Sequence, residues 1–120
     1  AGCFDKRIKV VAPCCGFCTY KDSILAMYHC PCNYIPHAYE YFEMYDLASF
    51  IAPRKLVIIT GEKDQIFPIN GVKESVKQIE KMFEIEGCKD NLSLVVTPLA
   101  HDWREEYSWP AINKALNESK

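Results

Sequence analysis

The sequence of 120 residues has no surplus of positive charge: fourteen Lys and Arg stand against sixteen Asp and Glu, a formal net charge of −2 at pH 7. Nucleic-acid binders carry a basic footprint, so that class is excluded. No apolar run approaches the roughly 20 residues of a membrane-crossing helix, so no membrane partner is expected. The opening Ala1-Gly2-Cys3-Phe4-Asp5-Lys6-Arg7 lacks the long apolar stretch of an intact signal peptide. Internal repeats, low-complexity tracts and flexible linkers are also missing, and the length suits one domain rather than two. What is present is 49% hydrophobic and 25% charged, the balance of a folded globular unit.

Cysteine is not scarce. Cys3, Cys14, Cys15, Cys18, Cys30, Cys32 and Cys88 make an odd number that cannot all pair within the chain. Disulfide scaffolds are small and loop-rich, whereas this chain has long apolar segments. The thiols are therefore read as reduced, which favours a cytoplasmic location without fixing it. Cys15-x-x-Cys18 and Cys30-x-Cys32, with His29 adjacent, offer enough donors for a tetrahedral zinc, but the second pair is tightly spaced for that role. The simpler reading has Cys14 and Cys15 ending a buried strand as small apolar residues. No metal ligand and no cofactor is expected.

Arg7–Pro13 is short, β-branched and closed by proline, which predicts a strand. Lys55–Thr60 and Leu92–Thr97 are apolar over successive positions, as strands buried on both faces in parallel sheets are. Val72, Val76, Ile79 and Phe83 recur at helical spacing between them, with Asn70 as N-cap and Gly87 as the C-terminal stop. A last helix is predicted with Ser108 as cap, Pro110 in its first turn, and Trp109, Ile112 and Leu116 facing inward. Residues 39–50 read as a less regular, aromatic-rich helix. Alternating strands and helices predict an α/β fold, a mostly parallel three-stranded sheet with flanking helices, over residues 1–120 as a single unit.

Ligands of such sheets bind beyond the carboxyl ends of the strands. Asp64 follows the second strand in Gly61-Glu62-Lys63-Asp64, and His101 follows the third in Pro98-Leu99-Ala100-His101. A carboxylate that holds an imidazole in one tautomer lets its other ring nitrogen take a proton from a nucleophile. Each residue alone is as easily a turn aspartate or a structural histidine. Their equivalent placement after consecutive strands makes them the candidate catalytic pair.

The run Ile51-Ala52-Pro53-Arg54-Lys55-Leu56-Val57-Ile58-Ile59-Thr60-Gly61-Glu62-Lys63-Asp64, followed by Phe67-Pro68, resembles the acid-bearing segment of the α/β-hydrolase superfamily, in particular its acetyl xylan esterase and dienelactone hydrolase-like branch. Asp5-Lys6-Arg7-Ile8 resembles the segment after the nucleophile helix, and His29-Cys30-Pro31-Cys32-Asn33-Tyr34-Ile35-Pro36 a loop of the same branch. The resemblance spans residues 5–118 and the C-terminal half of the family's domain. It implies that Asp64 is the triad acid and His101 the triad base. Ala100 stands where the family usually has glycine.

The family's Gly-x-Ser-x-Gly elbow, a strained turn that only small neighbours permit, is not in the sequence. Gly16-Phe17-Cys18-Thr19-Tyr20 begins a cysteine version of it, but Tyr20 occupies the second glycine position. The resemblance thus implies a carboxylic-ester hydrolase whose nucleophile lies on an N-terminal portion outside these residues, so that this chain alone is inactive. The substrate would be a small-molecule or carbohydrate ester. The aromatic group of Tyr34, Tyr39, Tyr41, Phe42, Met44 and Tyr45 either lines that substrate's site or packs an irregular helix. A different function is a non-catalytic binding or scaffold domain, zinc-stabilised by its cysteines. The first strand resembles the family's sixth, whose other edge pairs with the nucleophile-bearing strand, and the resemblance thus implies a homo-oligomer or association with the N-terminal segment.

Overall fold

In the computed structural model, which describes residues 1–119, the elements follow the predicted alternation: β1 (Val10–Val11), α1 (Ala38–Tyr41), α2 (Met44–Ser49), β2 (Lys55–Gly61), α3 (Ile69–Ile85), β3 (Leu92–Thr97) and α4 (Glu105–Asn117). Single 3₁₀ turns at Pro31–Asn33 and Lys89–Asn91 fill two of the connections. The sheet has the order β1-β2-β3 and both pairings are parallel. Leu56 of β2 is in register with Leu92, and Gly61 with Thr97.

The central strand explains the layers. Leu56 and Ile58 project into a core shared with Val72, Val76, Ile79 and Phe83 of α3. Val57 and Ile59, on the opposite pleat, meet Ile112 and Ala115 of α4. A strand covered on both faces must be apolar at successive positions, and β2 is buried from Leu56 to Gly61.

Several boundaries differ from the sequence expectation. The strand predicted over Arg7–Pro13 is reduced to two residues of regular ladder. Its pairing with β2 continues only in single contacts: Ile59 N–H donates to Pro13 O at 2.9 Å and Cys15 N–H to Ile59 O at 2.9 Å. Pro13 has no N–H, so the ladder breaks there. Upstream, Arg54 holds the chain in turns instead, its guanidinium donating to the carbonyls of Gly2, Cys3, Asp5, Ile8 and Phe50.

Helix α3 begins after Pro68 rather than after Asn70, with Val72 N–H donating to Pro68 O at 3.1 Å. It ends as expected at Gly87, which has φ of 67°, with Cys88 N–H returning to Phe83 O. Its Lys and Glu side chains face solvent. The aromatic-rich segment is two short helices. The second starts with a capping box in which the Glu43 side chain accepts from Asp46 N–H while Glu43 N–H donates to the Asp46 side chain, and the Glu43 carboxylate also accepts from Met44 N–H. Glu43 also accepts from Tyr20 N–H at 2.8 Å, which ties the loop after β1 to α2.

In α4, Ser108 is not the cap. The helix starts one turn earlier, at Glu105 and Glu106, whose charges suit a helix N-terminus. Pro110 is consequently inside the helix, where the N–H it lacks would have bonded Glu106. The inner face is Ser108, Ile112 and Ala115. Trp109 and Leu116 are each 44% exposed, and Trp109 stands edge-on to Trp103 with centroids 6.1 Å apart.

Candidate active site

Asp64 and His101 arrive from adjacent strands at one end of the sheet. The β2 turn and the β3 loop are locked together by Glu62 N–H donating to Thr97 O at 2.8 Å and Lys63 N–H to Leu99 O at 2.9 Å. Gly61 makes this possible. A Cβ there would lie 2.1 Å from Ala100 O and 2.6 Å from Leu99 O, so the loop that carries His101 can cross β2 only over a residue without a side chain.

The two side chains meet: His101 Nδ1 is 3.0 Å from Asp64 Oδ2. The Asp64 carboxyl is fully buried and its other oxygen, Oδ1, accepts from Ile66 N–H at 2.8 Å and Phe67 N–H at 3.0 Å. A carboxylate only accepts, so Nδ1 carries the proton in the bond and the lone pair of the neutral ring sits on Nε2. The imidazole is 44% exposed. It also stacks on Phe67, with ring centroids 5.8 Å apart and planes 16° apart.

Behind Phe67 lies a support that sequence reading missed. The Ser23 hydroxyl donates to Ile66 O at 2.6 Å and stands 3.2 Å from His29 Nε2. Since the hydroxyl proton is used on Ile66, Nε2–H of His29 is the donor to Ser23. The His29 ring packs edge-on against Phe67, and the backbone N–H of His29 donates to Tyr34 Oη at 2.8 Å. Ser23, His29 and Tyr34 thus hold the Ile66–Phe67 strip that in turn fixes Asp64 and the ring of His101. Ser23 and His29 lie far from both strand ends in sequence, and no periodicity marks them.

The exposed imidazole borders two clefts. One, of about 320 Å³, is lined by Tyr28, His29, Cys30, Asn33, Ile66 and Phe67. The other, of about 350 Å³, is lined by Cys14, Cys15, Asp102 and Trp103. The aromatic group at 34–45 lines neither. Phe42, Met44 and Tyr45 pack against the core, and Tyr39 and Phe42 contact Tyr20 edge-on. Packing accounts for Phe42, Met44 and Tyr45, whereas Tyr34, Tyr39 and Tyr41 are exposed.

All seven cysteines are free. Cys18 is fully buried, with Sγ 3.6 Å from Pro68 O. The Cys15–Cys18 and Cys30–Cys32 pairs do not converge. The one group of three metal-ligating side chains among the described residues is instead Cys15, Asp64 and His101. Cys15 has φ of 47° and its Sγ is 3.9 Å from Cys14 Sγ. Burial first, then the neighbouring Cys15, Asp64 and Asp102, pushes the Cys14 thiol up to about 12.

Compared with known proteins, the chain matches no family model and no curated protein. Among solved structures it is similar to a carbohydrate esterase family 15 (CE15) glucuronoyl esterase from Caldicellulosiruptor kristjansonii, with a TM-score of 0.72 over 98% of this chain and 20% sequence identity. The chain spans 37% of the length of that esterase. The likeness is one of fold alone: three parallel strands with flanking helices, matching a segment of that structure.

Proposed function

We propose that the chain supplies the acid and base of a serine carboxylic-ester hydrolase, Asp64 and His101, with the nucleophile and oxyanion donors on a segment preceding residue 1. The observation that carries this reading is the buried Asp64 carboxylate holding Nδ1 of a solvent-accessible His101 at 3.0 Å, at the carboxyl ends of adjacent parallel strands. In the reaction, Nε2 of His101 takes the serine proton as Oγ attacks the ester carbonyl. It returns that proton to the leaving alcohol and then deprotonates the water that hydrolyses the acyl-enzyme. Asp64 keeps the Nδ1–H tautomer and stabilises the imidazolium formed at each step. Phe67 presents a flat apolar surface to one face of the ring and so restricts its rotation.

The substrate class is a carbohydrate carboxylic ester. The sequence resemblance favours an acetylated sugar, and the fold neighbour's name adds a glucuronoyl ester to the panel worth assaying.

The test is a longer chain that carries the preceding segment, assayed on p-nitrophenyl acetate, acetylated xylo-oligosaccharides and a glucuronoyl ester. His101→Ala and Asp64→Asn are each expected to lower kcat by about three orders of magnitude or more. A fluorophosphonate should label the longer chain, and residues 1–120 alone should show neither labelling nor turnover. Turnover that survives His101→Ala, or a longer chain with no turnover at all, would replace this reading with that of a non-catalytic scaffold.

A further inference from the structure

We infer that Cys15, Asp64 and His101 form a zinc site on the side of the imidazole facing the Cys14–Trp103 cleft, and that zinc bound there silences His101 as a base. Cys15 Sγ, a carboxylate oxygen of Asp64 and a ring nitrogen of His101 lie within 4.8 Å of one another. The three donors come from three separate strand ends, which is why cysteine spacing gave no sign of them.

The donor set suits zinc. Sulfur, imidazole nitrogen and one carboxylate oxygen are its usual ligands, and three protein donors leave a position open to water. Tetrahedral zinc with bonds of about 2.0 to 2.3 Å keeps its donors about 3.3 to 3.8 Å apart. His101 Nδ1 and Asp64 Oδ2, at 3.0 Å, need to part by only a few tenths of an ångström. Cys15 Sγ, within 4.8 Å of both other donors, needs to close by about 1 Å at most relative to that spacing.

One further observation, of the backbone, supports the site. Cys15 occupies the left-handed backbone region at φ 47°, held there by its N–H bond to Ile59 O. A non-glycine residue fixed in such a conformation is more common at functional positions than elsewhere.

Binding balances simply. Zinc takes the Nδ1 lone pair and displaces the proton shared with Asp64, which moves to Nε2; the Cys15 thiol proton leaves to solvent. His101 then has N–H rather than a lone pair on the nitrogen that faces a substrate. The site itself does not depend on the esterase reading, because binding is measurable in this chain without turnover.

The reduced, metal-stripped chain is titrated with zinc chloride by calorimetry and with cobalt(II) by absorption. We expect one equivalent per chain and a sulfur-to-cobalt charge-transfer band. Cys15→Ser should abolish the band and weaken zinc binding at least tenfold, His101→Ala should weaken it similarly, and the double variant Cys30→Ser with Cys32→Ser should leave it unchanged. In the unaltered chain, zinc should slow iodoacetamide labelling of Cys15 but not of Cys30 or Cys32, as mapped by mass spectrometry, so the inference is tested even if a variant misfolds. Absence of stoichiometric zinc, binding that follows Cys30 and Cys32, or Cys15 labelling indifferent to zinc would each overturn it.

Discussion

At the scale of the residue, burial separates thiols that composition treats alike. Cys18 is wholly enclosed, and the loss of hydration lifts its thiol from the ordinary 9.0 to about 11. The folded chain therefore holds this proton more tightly than the unfolded chain does. The resulting stabilisation is complete below pH 9 and is lost as pH rises toward 11. Urea denaturation should show a falling midpoint across that window, and Cys18→Ala, less stable at neutral pH, should show a shallower fall. An equal fall in the variant would mean that other groups cause it. In the folded chain at neutral pH, Cys30 and Cys32, both exposed, should alkylate first and Cys18 only after denaturation.

At the scale of the element, the site depends on how closely two connections pass. Gly61→Ala places a methyl group against the backbone carbonyls of Leu99 and Ala100, neither of which is a flexible side-chain end. The expected cost is about 3 kcal/mol, at the upper end of overpacking effects, with Asp64 and His101 moved out of hydrogen-bond reach. Calorimetric unfolding and a crystal structure of the variant check this, and unchanged stability would show that the loops need not touch. Helix α4 offers the opposite case. Ser108 Oγ is buried without a hydrogen-bond partner in the structure, and serine is a weaker helix former than alanine. Ser108→Ala should therefore raise stability by a few tenths to about 1 kcal/mol. A loss of stability on chemical denaturation would indicate that the hydroxyl has a partner after all.

At the scale of the whole molecule, the chain packs tightly yet leaves both outer strands of its sheet, β1 and β3, with a neighbour on one side only. Its radius of gyration of 13.9 Å is close to the roughly 13.6 Å that compact domains of this length have. β1 nevertheless has a strand neighbour on one side only, and Val10 and Val11 are half-buried. Unpaired backbone on that side is a template for another strand. Residues 1–120 are expected to run as a dimer or larger species in light scattering at micromolar concentration. Val11→Lys or addition of the preceding segment should return them to one defined state. A stable monomer of 13.8 kDa would show that this edge needs no partner.

The sequence by itself determined the elements whose burial is periodic and local. β2, β3 and the apolar face of α3 were legible because each pattern reports directly on the faces it buries, and the parallel α/β fold followed from their alternation. Asp64 and His101 were legible because chain order placed both just after strands. What only the tertiary structure decided rests on contacts between segments distant in sequence. The Arg54 clamp on residues 2–8 and the missing N–H of Pro13 cut β1 to two ladder residues. The start of α4 is the exception, since the acidic Glu105 and Glu106 that suit its N-terminus are a local signal. The Ser23–His29 brace and the approach of Cys15 to the Asp64–His101 pair left no mark in spacing or composition. Such juxtapositions exist only once the β-strands are in register, because the sheet, not the local chain, sets which strand ends lie side by side.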